Sequence, residues 1–357
     1  MPSLTSIFSS VPFRGFYPDE QPEVPFRTEG TKQEKKRLAF LINRIARSSD
    51  FGKSVLERAA KAGYSISFDS LGVSRGAASS DLKKIILNPR CPDSTLTATL
   101  THESRHAGQF CDGAVCGFFK EGRSFASLLK EERLMEADAV TSSVAVCFDL
   151  ARNGDVKPLK KLRENYPCCV RAYEAFEGKG ENQALTRSAL AWFDDAEIKF
   201  LYEFSGMVPS LSCGHDIDAA ETKRENPTSE QLISMICKDA KGGSYFSVPA
   251  SELDTPQRAG ISGITADWLK EHLKACRANG VKENEIDPTL KDIPVYTLPR
   301  YMQSNAERFY IYPDPLNERG MIKTQQVAGK RSPEEKTTLQ AKDLLTISAM
   351  RKKRGRN

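Results

Sequence analysis

The chain has 357 residues, 39% of them hydrophobic and 28% charged, and carries a formal net charge of +5. That length can bury a sizeable core as one elaborate domain or two, and no apolar run reaches the roughly 18 residues needed to cross a bilayer. Much of the charge excess sits in RKKRGRN after Met350, and the body has no basic stripe interleaved with aromatics, so nucleic acid is not an expected partner.

The opening MPSLTSIFSSVPFRGFYPDE lacks the basic segment and continuous apolar core of a secretory signal. Nine cysteines, with Cys168 and Cys169 adjacent and no CxxC, suit free thiols in a reducing compartment. A cytoplasmic location is expected. The basic tail reads as a solvated end, with export by a non-classical route through it as the alternative.

Residues 1–30 are rich in Pro, Ser and Phe without a helical period and read as an irregular arm. From Thr31, TKQEKKRLAFLINRIARSS places Leu38, Leu41, Ile42 and Ile45 on one helix face. A shorter helix, GKSVLERAAKAG, stops at Gly63. YSISFDS alternates as a strand, Gly72 to Ser80 reads as a turn, and LKKIILNP is a second strand ended by Asn88-Pro89.

The next helix is capped by Asp93 or Ser94 and runs to about Cys111. A long helix covers SLLKEERLMEADAVTSSVAVCFDLARNG, buried over Ala137 to Ala151, and further helices cover 182–206 and 265–280. Residues 208–260 are turn-rich, and from Pro313 the chain is polar and basic.

The segment TLTHESRHAGQF holds two of the four histidines, His102 and His106. Four residues apart on a helix, they lie about 40° apart around the axis and can bite one Zn²⁺. Glu103, about 100° round from His102, cannot easily join them as a ligand but can reach a water on the metal, where a general base is needed. Thr95, Thr99, His102, His106 and Gln109 share one face, while Leu96, Leu100, Ala107, Phe110 and Cys111 face the core. Small Ala98 and Gly108 admit close neighbours. The plain alternative is a helix with two incidental histidines.

HExxH after a sheet resembles the zincin metallopeptidases. More narrowly, IILNP, then THESRHAGQ, then EADA resembles an uncharacterised bacterial metallopeptidase family carrying HExRHxxQ. The likeness is specific over about residues 64–145. Arg105 departs from the usual pattern, since the two residues inside the motif are normally uncharged. The resemblance implies that a strand before the helix holds an extended substrate by backbone pairing, and 82–88 is the candidate. It also implies a third metal ligand from a Glu on a following helix.

KEERLMEADAVTSS supplies Glu131, Glu132, Glu136 and Asp138. Glu136, inside EADA, is assigned as the ligand. Glu132 and Gln109 remain as supports of the ligands or as alternative ligands. Glu132 and Glu136 share a face with Ala139 and Ser143, small enough to let this helix approach the first, and Asp138 points the opposite way. A rival third ligand, Asp112, sits six residues after His106 but lacks the glycine needed to turn the chain. His215 in CGHD (213–216), with Cys213 and Asp216, and His272 are weaker candidates. Tyr166, Tyr173, Tyr202 and His215 are unranked as groups that polarise the scissile carbonyl. Trp192, Phe193, Phe200 and Tyr202 read as core.

The expected fold is α+β: a zincin-like small sheet with the HExxH helix (about 64–112), and a mainly helical subdomain (about 127–312), with a metal cleft between them. Together they form one domain over 31–312, followed by a tail at 313–357. The expected function is zinc-dependent hydrolysis of a protein or peptide substrate, with Glu103 as base. The alternatives are a zincin-like metal-binding regulatory module with little proteolysis and a secreted bacterial effector protease.

Overall fold

The computed structural model describes residues 17–72, 74–114, 124–203, 226–278, 288–300 and 302, with two short strands at 310–312 and 323–325. It is an α+β protein, mostly helical, with a small sheet. Two compact units are present. The first comprises residues up to Asp112 with Ala139–Val170 and Asp239–Gly242, and the second comprises Gly113–Asp138, Arg171–Lys238 and the chain from Gly243.

In the first unit, β1 (Arg27–Thr28), β2 (Ser65–Phe68), β3 (Gly76–Ser79) and β4 (Lys84–Leu87) form one sheet in the order β1-β2-β4-β3. β1, β2 and β4 are parallel, with Ile66 opposite Ile85, and β3 closes the sheet antiparallel to β4, with Gly76 opposite Leu87. Ile66, Ile85 and Leu87 are fully buried. Helix α1 (Lys32–Ser48) begins at a capping box in which Thr31 and Glu34 satisfy each other's backbone donors. It buries Leu38, Leu41, Ile42 and Ile45, the stripe its period requires. α2 (Asp50–Lys61) follows after Ser49 and ends before Gly63, whose φ of 83° is the left-handed turn that glycine makes without strain.

The stretch read as a turn contains β3. GAAS has little intrinsic strand preference, and its pairing to β4 overrides that. β4 is in turn paired on both sides, so it has no open edge for a substrate. The strand expected to hold an extended peptide is therefore interior, and β3 stands at the end of the sheet.

α3 (Asp93–Cys111) carries the HExxH segment. Its N-cap is Pro92, without a side-chain cap, and Asp93 lies in the first turn rather than capping it. Buried Arg37 of α1 does the work instead. It donates to Asp93 Oδ1 at 2.7 Å, to the Pro89 carbonyl at 3.0 Å and to the Cys91 carbonyl at 2.7 Å. Leu96, Leu100 and Ala107 are in the core as expected, but Phe110 is half-buried and Cys111 exposed. α3 is buried on nearly every side rather than along one stripe.

α4 (Phe125–Arg152) contributes its part up to Asp138 to the second unit and the rest to the first. In the first unit Ser143 Oγ donates to the Ala98 carbonyl at 2.9 Å, so two small side chains let α4 lie close on α3. α5 (Lys157–Asn165) completes this unit, and α6 spans Pro167–Phe176.

In the second unit the helix expected over 182–206 is two helices, α7 (Glu181–Asp194) and α8 (Ala196–Tyr202). Asp195 separates them, its carboxylate accepting from the Glu197 and Ile198 amides at 3.0 and 3.1 Å. α9 (Ser229–Ile236), α10 (Pro256–Ala259) and α11 (Gly263–Ala278) follow, with β5 (Ile261–Ser262) parallel to β6 (Val295–Tyr296). Leu128, Leu129, Leu269 and Leu273 form one core with Phe125 and Ile261. Trp192, Phe193 and Phe200 are buried, and Tyr202 packs on Trp192.

β7 (Tyr310–Tyr312) pairs with β8 (Lys323–Gln325), which falls inside the stretch expected to be a tail. The rest of that tail and residues 1–16 of the arm lie outside the described residues. None of the described helices is long and apolar enough to cross a membrane. Cys91, Cys111, Cys147, Cys168, Cys169 and Cys237 are free thiols.

Candidate metal centre

One helical turn puts the His102 and His106 rings edge to face, with centroids 4.6 Å apart at 88°. Their Nε2 atoms stand 3.0 Å apart. His106 Nδ1 donates to Gln109 Oε1 at 2.8 Å, one turn further on. A ring that carries its proton on Nδ1 has its lone pair on Nε2, so Gln109 sets both the tautomer and the tilt of His106. Phe110 stacks along the same ring, 6.1 Å away at 18°.

Glu136 of α4 brings a carboxylate to this pair. The ligand atoms of His102, His106 and Glu136 all lie within 4.8 Å of one another, with His106 buried and the other two half-buried. Among the described residues this is the group of His, Cys, Asp or Glu that could hold a metal ion. Two imidazoles and a carboxylate are a donor set that zinc takes in catalytic sites, leaving a position open. Nitrogens bound at about 2.0–2.1 Å to a tetrahedral ion stand about 3.3 Å apart. The 3.0 Å between the two Nε2 atoms needs only a small adjustment to accept one.

The neighbouring acidic residues have other positions. Asp138 is fully buried and accepts from Tyr245 Oη at 3.0 Å. Glu132 is half-buried and is not in the ligand group. Asp112, the rival third ligand, is paired with Arg58. The stem of Arg58 crosses α3 at Gly108, where a Cβ would meet its Cδ at 3.1 Å. Arg105 is buried, its guanidinium 5.9 Å from the centre of the Phe51 ring on α2.

His272 is on α11, stacked on Trp268 at 5.2 Å, and burial pushes its pKa down. Tyr173 is buried, and Tyr166 ends α5. Cys213, His215 and Asp216 lie outside the described residues. Glu103 is buried on α3 and lies against Gly76 of β3. Two contributors escaped the sequence reading: Arg37, whose partners are more than fifty residues away, and Gly76, which was read as part of a turn.

The model of the family described as "Putative metallopeptidase family (DUF6782)" matches residues 18–246. That span contains His102, Glu103, His106 and Glu136. No curated protein and no solved structure matches the chain. With the match covering more than half of its length, the chain belongs to this putative metallopeptidase family.

Proposed function

We propose that the protein is a zinc metallopeptidase of zincin-like design, in which His102, His106 and Glu136 hold the ion and Glu103 is the general base. The observation that carries this reading is the convergence of two imidazoles and one carboxylate from α3 and α4, with Glu103 directly after the first histidine. Zinc held there would supply Lewis acidity and bring the pKa of water towards 7. Glu103 takes the proton of the attacking water and passes it to the leaving amide nitrogen as the peptide bond breaks. Gln109 keeps the His106 ring in place through its contact with Nδ1.

The substrate reading follows the sheet. β3 is its terminal strand, and its residue Gly76 lies against Glu103. An extended peptide pairing with the outer edge of β3 would bring its backbone past the base. β4, filled on both sides, cannot do this.

The test is a cleavage assay on a mixed peptide library. Activity that disappears on chelation and returns with Zn²⁺ supports the reading. A protein that binds zinc stoichiometrically but leaves the library intact is a binding module instead.

A further inference from the structure

Gly76 has an ordinary strand φ, so its conformation does not call for glycine. Space does. A Cβ placed on it would lie 2.5 Å from Thr99 Cγ2, 2.9 Å from Glu103 Cγ and 3.0 Å from Glu103 Oε1. Ordinary contact between carbon atoms is about 3.5–4.0 Å, so a methyl group cannot be added without something moving.

The strand is held on its other side. Gly76 pairs with Leu87, and Ala77 with Ile86. The Asn88 amide donates to the Arg75 carbonyl at 2.9 Å, and Asn88 Nδ2 donates to the Ser74 carbonyl at 2.8 Å. The helix is held as well: Thr99 Oγ1 donates to the Thr95 carbonyl at 3.0 Å, and α3 is buried along most of its length. Two of the three contacting atoms belong to the Glu103 side chain, whose carboxylate is carried on three rotatable bonds.

Resting on the reading of Glu103 as the base, we propose that Gly76 is a positioning residue: its bare backbone forms the wall that sets where the Glu103 carboxylate stands. A side chain on Gly76 would meet Thr99 and Glu103 first and turn that carboxylate away. Thr99 Cγ2 is the tightest of the three contacts, so shortening Thr99 to Ser relieves the crowding from the opposite side.

The experiment compares wild type, Gly76→Ala, Thr99→Ser and the double variant Gly76→Ala/Thr99→Ser. Zinc content, kcat and KM on a cleaved peptide, and affinity for acetohydroxamate are measured for each. Acetohydroxamate binds zinc while donating a hydrogen bond to a neighbouring carboxylate, so it reports the position of Glu103 without needing turnover. Gly76→Ala is expected to keep its zinc and KM, lose about 10- to 100-fold in kcat, and bind acetohydroxamate more weakly. The double variant is expected to recover part of both losses.

Gly76→Ala with wild-type kcat and acetohydroxamate affinity overturns the proposal. So does loss of zinc or of the folded state in both Gly76→Ala and the double variant, which would make Gly76 a packing spacer. Wild type that binds zinc and acetohydroxamate but cleaves no peptide defeats the peptidase reading alone, and acetohydroxamate affinity then decides the role of Gly76. Wild type without zinc defeats both.

Discussion

A glutamine three residues beyond His106 decides which nitrogen of that ring would face the proposed metal. Gln109 Oε1 accepts a hydrogen bond from Nδ1–H at 2.8 Å, which keeps the proton on Nδ1 and turns the Nε2 lone pair to the proposed metal. Gln109→Leu should therefore lower zinc affinity about 10- to 100-fold, read by competition with a chromophoric chelator; unchanged affinity would show that Gln109 does not orient the ligand. Glu136→Gln should likewise lose zinc while Glu132→Gln retains it, because only the former carboxylate lies in the ligand group among the described residues. Zinc lost in Glu132→Gln and kept in Glu136→Gln would reverse that assignment. The histidine pair was legible because the helix repeat itself puts positions four apart on one face. The choice between Glu132 and Glu136 was not, since they are also four apart and share a face. Tertiary placement separates them. Arg37 was illegible for a different reason: its charge binds backbone carbonyls of a loop, which leave no mark on the sequence.

α3 and α4 meet where both sequences are small. Ser143 Oγ reaches the Ala98 carbonyl at 2.9 Å, which a larger side chain would prevent. Ser143→Leu should overpack this contact, destabilise the protein by about 1–3 kcal/mol in denaturant unfolding, and reduce zinc retention because Glu136 lies two turns earlier on α4. A variant with wild-type midpoint and zinc content would show that the helices have room to spare. The strands β2 and β4 and the helices α1 to α4 were readable from their hydrophobic periods and stop signals. β3 was not, because a glycine and two alanines give no alternating pattern; the strand exists through its register with β4. Its glycine matters for the space it leaves over α3, a requirement that only the paired sheet creates. The break at Asp195 was hidden by an apolar period that runs on across it, although the carboxylate acts as a cap for α8.

In the second unit the interior is more polar than its helical pattern suggests. Glu203 is fully buried and accepts from Arg133, Tyr296 Oη at 2.7 Å, the Ser262 amide at 3.0 Å and Thr265 Oγ1 at 2.8 Å. Partners from three separate stretches satisfy one carboxylate, the condition under which a buried charge is tolerated. Lys199 lies beside this network, donating to the Gln257 carbonyl with its ammonium 4.0 Å from the centre of the Tyr296 ring. Burial, and then the Arg133 charge, pull the Lys199 pKa down to about 8. An unfolded lysine titrates at about 10.4, so between these values the unfolded chain binds more protons and this group's contribution to stability rises with pH. Well below pH 8 the penalty is present in full, and it vanishes once both states are neutral. Cys147, whose thiol burial pushes up, acts in the opposite direction over the same range, so the informative quantity is a difference. The stability gain of Lys199→Met over wild type should shrink by about 3 kcal/mol between pH 7 and 10.5. A gain independent of pH would mean that Lys199 is not desolvated. The sequence spoke for helices here but not for this network, whose members are drawn from α4, α8 and its C-cap, β5, α11 and β6.

For the molecule as a whole, we propose that Glu103 moves the proton while two histidines and Glu136 hold the metal. The most direct measurement is cleavage of a mixed peptide library by zinc-loaded wild type beside zinc-loaded Glu103→Gln. The two proteins should hold equal zinc, and the variant should lose about 10²- to 10⁴-fold in cleavage. Equal cleavage by the two proteins would contradict this proposal.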